Sequence, residues 1–482
     1  MENLVTWYYR GAIDFCNYQC GYCPFAKGKV SPELLLQDER SLVRFVSAMQ
    51  QREQEKKDVF LLPYGESLLY VHTMRALAKL AKLEQVRFAA IQTNLSLDLQ
   101  QLARVFAEAD AKLEKLLLWC SFHPSQTSLD SFLAQCRTLA AMRIPFSVGA
   151  VAVPENMGTI SRLRQALSRA TYLWLNAQDG RCQPYTREEI QDFTWIDPFF
   201  SLELSQPKAD LQKCDGGRSS FFVEENGDIA PCNIARTRQG NLYAAKEYRE
   251  ATCRSRSCSC FLAYAQRKLD MMEDFFGDTG KLRLPKRHSQ PIYSFDIDGT
   301  LLDFGAARVE PEIAQRLEKL AEKGLLFFNT ARRYAGCHSQ IKQLLPFFEG
   351  GIFNNGGDIR CFQKAFHHTW AMDKAYIDAL PEPKFVAVEK GEPVRAMFKG
   401  FRPAIDAARY QIFTDEDSLY LVHKYAGKEN ALAFLSRLYR VEYDQILHIG
   451  DGQNDVMQKI PYRLVHDREQ LLQLIDVLCQ RT

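Results

Sequence analysis

Residues 15–23 read FCNYQCGYC and set Cys16, Cys20 and Cys23 at i, i+4 and i+7. Three thiolates so spaced on one short loop converge on a single soft metal site, and soft sulfur ligands select iron–sulfur clusters or zinc. A zinc site needs a fourth protein ligand close by, and residues 24–30 (PFAKGKV) supply neither Cys nor His. Three cysteines on a cubane leave its fourth iron open, and chemistry would start there.

Downstream, apolar runs recur after helical patterns. Residues 59–62 end in Pro63-Tyr64-Gly65-Glu66-Ser67, residues 86–92 at Thr93-Asn94, 116–120 at His123, 146–153 without a marked polar stop, and 172–175 at Asn176. With residues 6–13 these make six strands alternating with helices, the pattern of consecutive βα units and a parallel sheet. Ligand groups in such folds sit at the carboxyl ends of strands, which makes Glu66, Asn94, His123 and Asn176 candidates. The cysteine run resembles the signature of the radical S-adenosylmethionine (SAM) superfamily, and residues 63–67 stand where that superfamily carries a GGEP-like turn, with Tyr64 and Ser67 departing from it. The resemblance implies an open partial (β/α)6 barrel over 1–205. It also implies SAM on the unique iron of a [4Fe-4S] cluster, cleavage to a 5′-deoxyadenosyl radical, and an electron donor such as flavodoxin or ferredoxin. Tyr22 would lie near the adenine, and Gly65 and Glu66 would bind the SAM amino group. Cys120 and Cys182, near strand ends, are candidate hydrogen-atom donors.

A second set of cysteines follows at residues 206–276. Cys214 and Cys232 flank two short strand patterns, 221–223 and 228–230, joined by an Asn226-Gly227 hairpin turn, and Cys253, Cys258 and Cys260 come later. The arrangement resembles the SPASM and twitch extensions of radical SAM enzymes. It implies one auxiliary [4Fe-4S] cluster on Cys214, Cys232, Cys258 and Cys260, with Cys253 as the alternate; a zinc ribbon is the other reading. Residues 277–290, rich in Gly, Pro and charge, read as a linker.

From residue 291 the chemistry changes. Residues 292–295 form an apolar strand that delivers Asp296 and Asp298 to a tight turn, DIDGTLL, where one carboxylate can attack phosphorus and the other protonate the leaving oxygen. Residues 325–328 end at Asn329-Thr330-Ala331-Arg332, Lys428 opens the run KENAL, and residues 446–449 end in Gly450-Asp451-Gly452-Gln453-Asn454-Asp455. This ordered set resembles the haloacid dehalogenase (HAD) superfamily. By that resemblance Asp296 is the nucleophile, Asp298 the general acid and base, and Thr330 and Lys428 hold the phosphoryl group. Asp296, the Asp298 carbonyl and Asp451 would bind Mg²⁺, with Asp455 in support. The expected architecture is a Rossmannoid core (291–333 and 426–482) with an α/β cap (334–425) like that of Cof-type phosphatases. Arg332, Arg333 and His423 are candidates for its closed pocket.

The 482 residues fit two or three domains, and a net charge of +2 leaves no electrostatic footprint for nucleic acid. An acid at Glu2 where a leader would be basic, and the lack of an apolar run near eighteen residues, lead to the expectation of a cytoplasmic protein without membrane spans. Fourteen cysteines in such a chain imply metal or redox chemistry. The expected function is bifunctional: a radical SAM domain that oxidises or epimerises one small phosphorylated metabolite, such as a sugar, cyclitol or nucleotide, and a phosphatase that dephosphorylates it. The alternative is a peptide or protein maturase whose HAD domain acts separately or docks a partner. A third reading makes the clusters redox sensors of the phosphatase.

Overall fold

A computed structural model describes residues 4–25, 28–204, 214–235, 237–244, 270–381, 383–415 and 418–480. The chain forms two compact units, Met1–Pro285 and Lys286–Thr482.

In the first unit, β1 (Val5–Arg10), β2 (Lys57–Leu61), β3 (Val86–Thr93), β4 (Leu116–Phe122), β5 (Phe146–Val151) and β6 (Leu173–Asn176) pair in parallel in chain order. Helices Pro32–Gln51, Val71–Lys82, Leu99–Glu108, Leu129–Ala141 and Met157–Ala166 connect them. β1 shows why these strands read as continuous apolar runs: alternate residues bury on opposite faces. Trp7 and Tyr9 join the helix-facing core with Phe45, while Tyr8 joins a separate cluster with Phe60, Trp119 and Leu282 on the other face. The hairpin β7 (Ser220–Glu224) and β8 (Asp228–Ala230) turns at Gly227, whose φ of 87° suits glycine. It does not stand apart, because β7 pairs in parallel with β1 and extends the sheet through β8 to β9 (Gly240–Asn241).

The start of the expected linker is built into this unit. Residues Gly277–Leu282 form a short 3₁₀ helix, the Tyr8 hydroxyl donates to the Lys281 carbonyl at 2.8 Å, and Leu282 is fully buried. Arg283 is also fully buried, its guanidinium 3.6 Å from the Trp174 ring centre and 4.2 Å from that of Trp119. It donates to Asn176 Oδ1 at 2.8 Å and pairs with Glu203 at 3.8 Å. The charged composition that reads as a linker hides a buried cation held between two indoles. Arg283→Ala removes that cation from beside a buried carboxylate, and urea unfolding should report a loss of about 3–5 kcal/mol.

In the second unit, β10 (Ile292–Phe295) lies inside a sheet ordered β14-β13-β12-β11-β10-β19-β20. β11 (Leu325–Asn329), β12 (Phe348–Phe353), β19 (Ile446–Gly450) and β20 (Tyr462–Leu464) run parallel with it, β13 (Asp358–Cys361) pairs antiparallel with β12, and β14 (His367–Thr369) pairs antiparallel with β13. The core sheet therefore runs on to Thr369, through residues expected in the cap: the fully buried run Phe348–Phe353 is more stable beside β11 than in a separate layer. A separate sheet, β15 (Phe385–Glu389), β16 (Glu392–Lys399), β18 (Ser418–His423) and β17 (Tyr410–Asp415), forms the smaller α/β layer. One of its faces packs Ala396, Phe398 and Leu421 with Met372 and Ile377.

Candidate functional site

Asp296 directly follows β10, and its N–H donates to the Ile449 carbonyl of the neighbouring β19 at 2.8 Å. The chain then turns sharply, with Leu301 and Leu302 both donating to the Ile297 carbonyl. Gly299 permits this at φ 74°, where a Cβ would lie 2.1 Å from Asp451 Oδ2. Asp451 follows β19, and Thr300 Oγ1 donates to its Oδ1 at 3.2 Å. Oxygens of Asp296, Asp451 and Asp455 lie within 4.8 Å of one another, the one such donor group among the described residues.

The other catalytic candidates arrive from β11 and from helix Lys428–Tyr439. Thr330 is buried at the end of β11, and its N–H donates to Ile352 O at 2.9 Å. Lys428 opens its helix after Gly427 and sends Nζ to Asp296 Oδ2 at 3.0 Å and Asp455 Oδ1 at 2.5 Å. The turn Asn354-Asn355-Gly356 ties the two together: Asn355 N donates to Thr330 O, and Gly427 N donates to Asn355 O. Asp298 is half-exposed and pairs with Arg332 at 3.1 Å.

Asp455 is saturated. Its Oδ1 also accepts from His448 Nε2 at 2.9 Å, and its Oδ2 accepts from the N–H groups of Asp451 and Gly452. Desolvation would raise its pKa, but the His448 hydrogen bond and the Lys428 charge hold it well below the usual carboxylate range. Asp296 is pushed up to about 7 by burial, opposed by Lys428 and reinforced by Asp455. A positive ion at the carboxylate group reverses that burden, and an all-oxygen donor set is what Mg²⁺ prefers. Asp296 and Asp451 have free lone pairs for it, whereas Asp455 orients Lys428. His448, a polar residue inside the apolar run of β19 whose Nδ1 lies 3.1 Å from Ser294 Oγ, was not singled out from sequence. Its place in ILHIG was the available signal.

Residues 358–457 match the family model of haloacid dehalogenase-like hydrolases. The C-terminal unit carries a HAD-like hydrolase domain. Solved structures similar to the chain include a haloalkanoate-superfamily phosphatase from Bacteroides thetaiotaomicron, at 17% identity over 36% of this chain and 81% of that one, with a TM-score of 0.28. A haloacid dehalogenase-like hydrolase from the same organism matches at 15% identity over 39% of this chain and 100% of its own, with a TM-score of 0.32. A HAD subclass IIB sugar phosphatase matches at 16% identity, covering 34% and 82%, with a TM-score of 0.27. No curated protein matches the chain. In the HAD-like domain His423 is buried, its ring stacks 5.7 Å from Trp370, and its Nδ1 accepts from Tyr425 N.

In the N-terminal unit the cysteine loop rests on the turn after β2. Glu66 N donates to Phe15 O at 2.8 Å, and a Cβ on Gly65 would lie 1.8 Å from that oxygen, so only glycine fits. Tyr18 N donates to Cys16 Sγ at 3.4 Å, and Asn94 Nδ2 reaches the same sulfur at 3.5 Å and Asn17 Oδ1 at 2.8 Å. Tyr22 OH lies 2.9 Å from Nδ1 of His123, which burial keeps neutral with a pKa near 4. The sulfurs of Cys16, Cys20 and Cys23 do not form a 4.8 Å group. Gly216 N donates to Cys214 Sγ and Ala235 N to Cys232 Sγ; Cys253, Cys258 and Cys260 lie outside the described residues. Asn176 is turned to Arg283, and Cys120 is buried in the helix-side core with Cys136. Cys182 is exposed on the loop after β6.

Glu66 is buried beneath this loop and accepts from Thr93 Oγ1, Asn94 N and Leu68 N. Desolvation outweighs these donors and raises its pKa from 4.5 to about 7. An acid whose folded pKa exceeds its unfolded pKa favours folding below the unfolded value, and that contribution is lost as pH rises through the folded value. Stability of the protein without added cofactors should therefore fall between pH 5 and 8, and Glu66→Gln should flatten that slope in urea titrations.

Proposed function

We propose that the HAD-like domain is a Mg²⁺-dependent phosphohydrolase and that the N-terminal unit performs radical SAM chemistry on the same small phosphorylated metabolite. The observation that carries the first half is Lys428 bridging Asp296 and Asp455 within the carboxylate group at the carboxyl edge of parallel strands. Asp296 attacks phosphorus and forms an aspartyl-phosphate while Asp298 gives its proton to the departing oxygen. Asp298 then takes a proton from water, which attacks the aspartyl-phosphate and releases inorganic phosphate. Thr330 and Lys428 hold the phosphoryl oxygens, and Mg²⁺, which Asp296 and Asp451 would hold, would neutralise charge between carboxylate and phosphate.

The radical half is supported by the donor chemistry of the cysteine loop. A tetrahedral zinc with Zn–S near 2.3 Å would need thiolates about 3.8 Å apart and a fourth protein ligand close by, which residues 24–30 do not supply. Cubane cysteines bind separate irons and sit wider apart. N–H groups directed at Cys16, Cys214 and Cys232 are the kind of donor that tunes the sulfurs of iron–sulfur sites. Cluster and SAM together would supply a carbon radical able to abstract hydrogen. The residues named for them are Cys16, Cys20 and Cys23, with Glu66, Asn94, Tyr22 and His123 lining the strand ends above; Cys214 and Cys232 would join Cys258 and Cys260 at an auxiliary cluster. The phosphate would anchor substrate during radical attack, and its hydrolysis would make the sequence irreversible.

The test is anaerobic incubation of reconstituted protein, SAM and reductant with cell extract, followed by mass spectrometry. Asp296→Asn should accumulate a phosphorylated species that forms only with SAM. A SAM-dependent product on a peptide would favour the maturase instead.

A further inference from the structure

The smaller sheet of the HAD-like domain has two unlike faces. Residues paired across antiparallel strands point the same way, so Val394, Ala396 and Phe398 face the helix Lys374–Asp378 while Arg395 and Met397 face the opposite side, with Phe385, Tyr420 and Val422. Three contacts aim that second face at the phosphate loops. Arg395 Nη1 donates to the carbonyl of Ala331, the residue after Thr330. The Arg333 guanidinium lies 5.5 Å from the Phe385 ring centre, and Phe413 packs against Gly427 beside Lys428.

Arg395 is 91% buried, yet it lacks a counter-ion. Its Nε is buried with no hydrogen-bond partner, and among the described residues no carboxylate lies within ion-pair range of it or of Arg333. The ionisable groups whose charges act on it are Tyr420, its ring centre at 5.0 Å, and Arg333, a second cation. Arg332, by contrast, is neutralised by Asp298. Burying an unpaired guanidinium is unfavourable unless an anion shares the space, and the scissile phosphate already has Lys428 and Thr330.

We propose that Arg395, with Arg333 at its edge, is a subsite for a second anionic group on the leaving side of the phosphate ester. The substrate class is then a phosphate monoester that also carries a carboxylate or another phosphate. This deepens the phosphohydrolase reading and rests on it. Arg395 determines specificity and does not touch the reacting phosphorus.

The test uses the full chain with excess Mg²⁺ and paired esters: 3-phosphoglycerate against glycerol 3-phosphate for a carboxylate, and fructose 1,6-bisphosphate against fructose 6-phosphate for a phosphate. A hydrogen bond to a charged partner is worth about 1.5–3 kcal/mol, so wild-type kcat/KM should favour one anionic member by roughly 10- to 100-fold. The favoured pair identifies the anion. Arg395→Met should remove most of that preference through KM, and Arg395→Lys should restore part of it. Equal kcat/KM within both pairs in the wild type overturns the subsite without recourse to any variant, as does a preference that survives Arg395→Met. If no ester is hydrolysed, 4-nitrophenyl phosphate included, the phosphohydrolase reading falls and takes the subsite with it.

Discussion

Asp296→Asn is expected to lower hydrolysis of 4-nitrophenyl phosphate by on the order of 10⁴-fold or more, since removing a covalent nucleophile typically costs that much. The amide keeps the shape of the side chain but loses the attacking charge. It also loses the ion pair to Lys428 at 3.0 Å, leaving Lys428 paired with Asp455 alone. A fragment spanning Lys286–Thr482 contains every group named in this chemistry and forms a compact unit, so it should hydrolyse the same ester with added Mg²⁺ and stop in EDTA. An intact, Mg²⁺-loaded fragment that turns over no ester would shift belief to the docking reading. Activity that appears only with reduced clusters would favour the sensor.

What could be read from the residues was whatever local pattern carries alone. DIDGTLL, the Thr330 turn, Lys428 and the Asp451–Asp455 run each mark a strand end or helix start, and the structure brings Asp296, Lys428, Asp451 and Asp455 to one place. Partnerships distant in sequence were not legible. Arg283 looks like a charged linker residue until Trp119 and Trp174 enclose it. Arg395 sits in an ordinary alternating strand, and only the pairing of β16 with β18 and the contact to Ala331 give its direction. The reach of the core sheet beyond Thr330 was not legible, because runs such as 348–353 and 358–361 carry the same strand signals whether they lie in the core sheet or beside it. Cys120 lies within β4, where the period of two sends its side chain to the helices.

Replacing Cys16, Cys20 and Cys23 together by Ala should reduce iron after anaerobic reconstitution from about eight to about four per chain and abolish 5′-deoxyadenosine formation. Both readouts are needed because they separate the two cysteine groups. Iron lost by half with 5′-deoxyadenosine lost entirely assigns the open cluster to the N-terminal loop. Cys214→Ala should do the reverse, lowering iron while 5′-deoxyadenosine still forms, uncoupled from product. Besides the bonds to Cys16 Sγ, the loop is tied to its neighbours through the Glu66 N to Phe15 O bond and the Asn94 to Asn17 bond, which the triple variant keeps, and unchanged circular dichroism would show that the loss is chemical. Stoichiometric zinc with a single four-iron cluster in the wild type would instead place zinc at Cys214 and Cys232. That outcome would sink the auxiliary cluster and leave the radical reading to stand on the N-terminal loop alone.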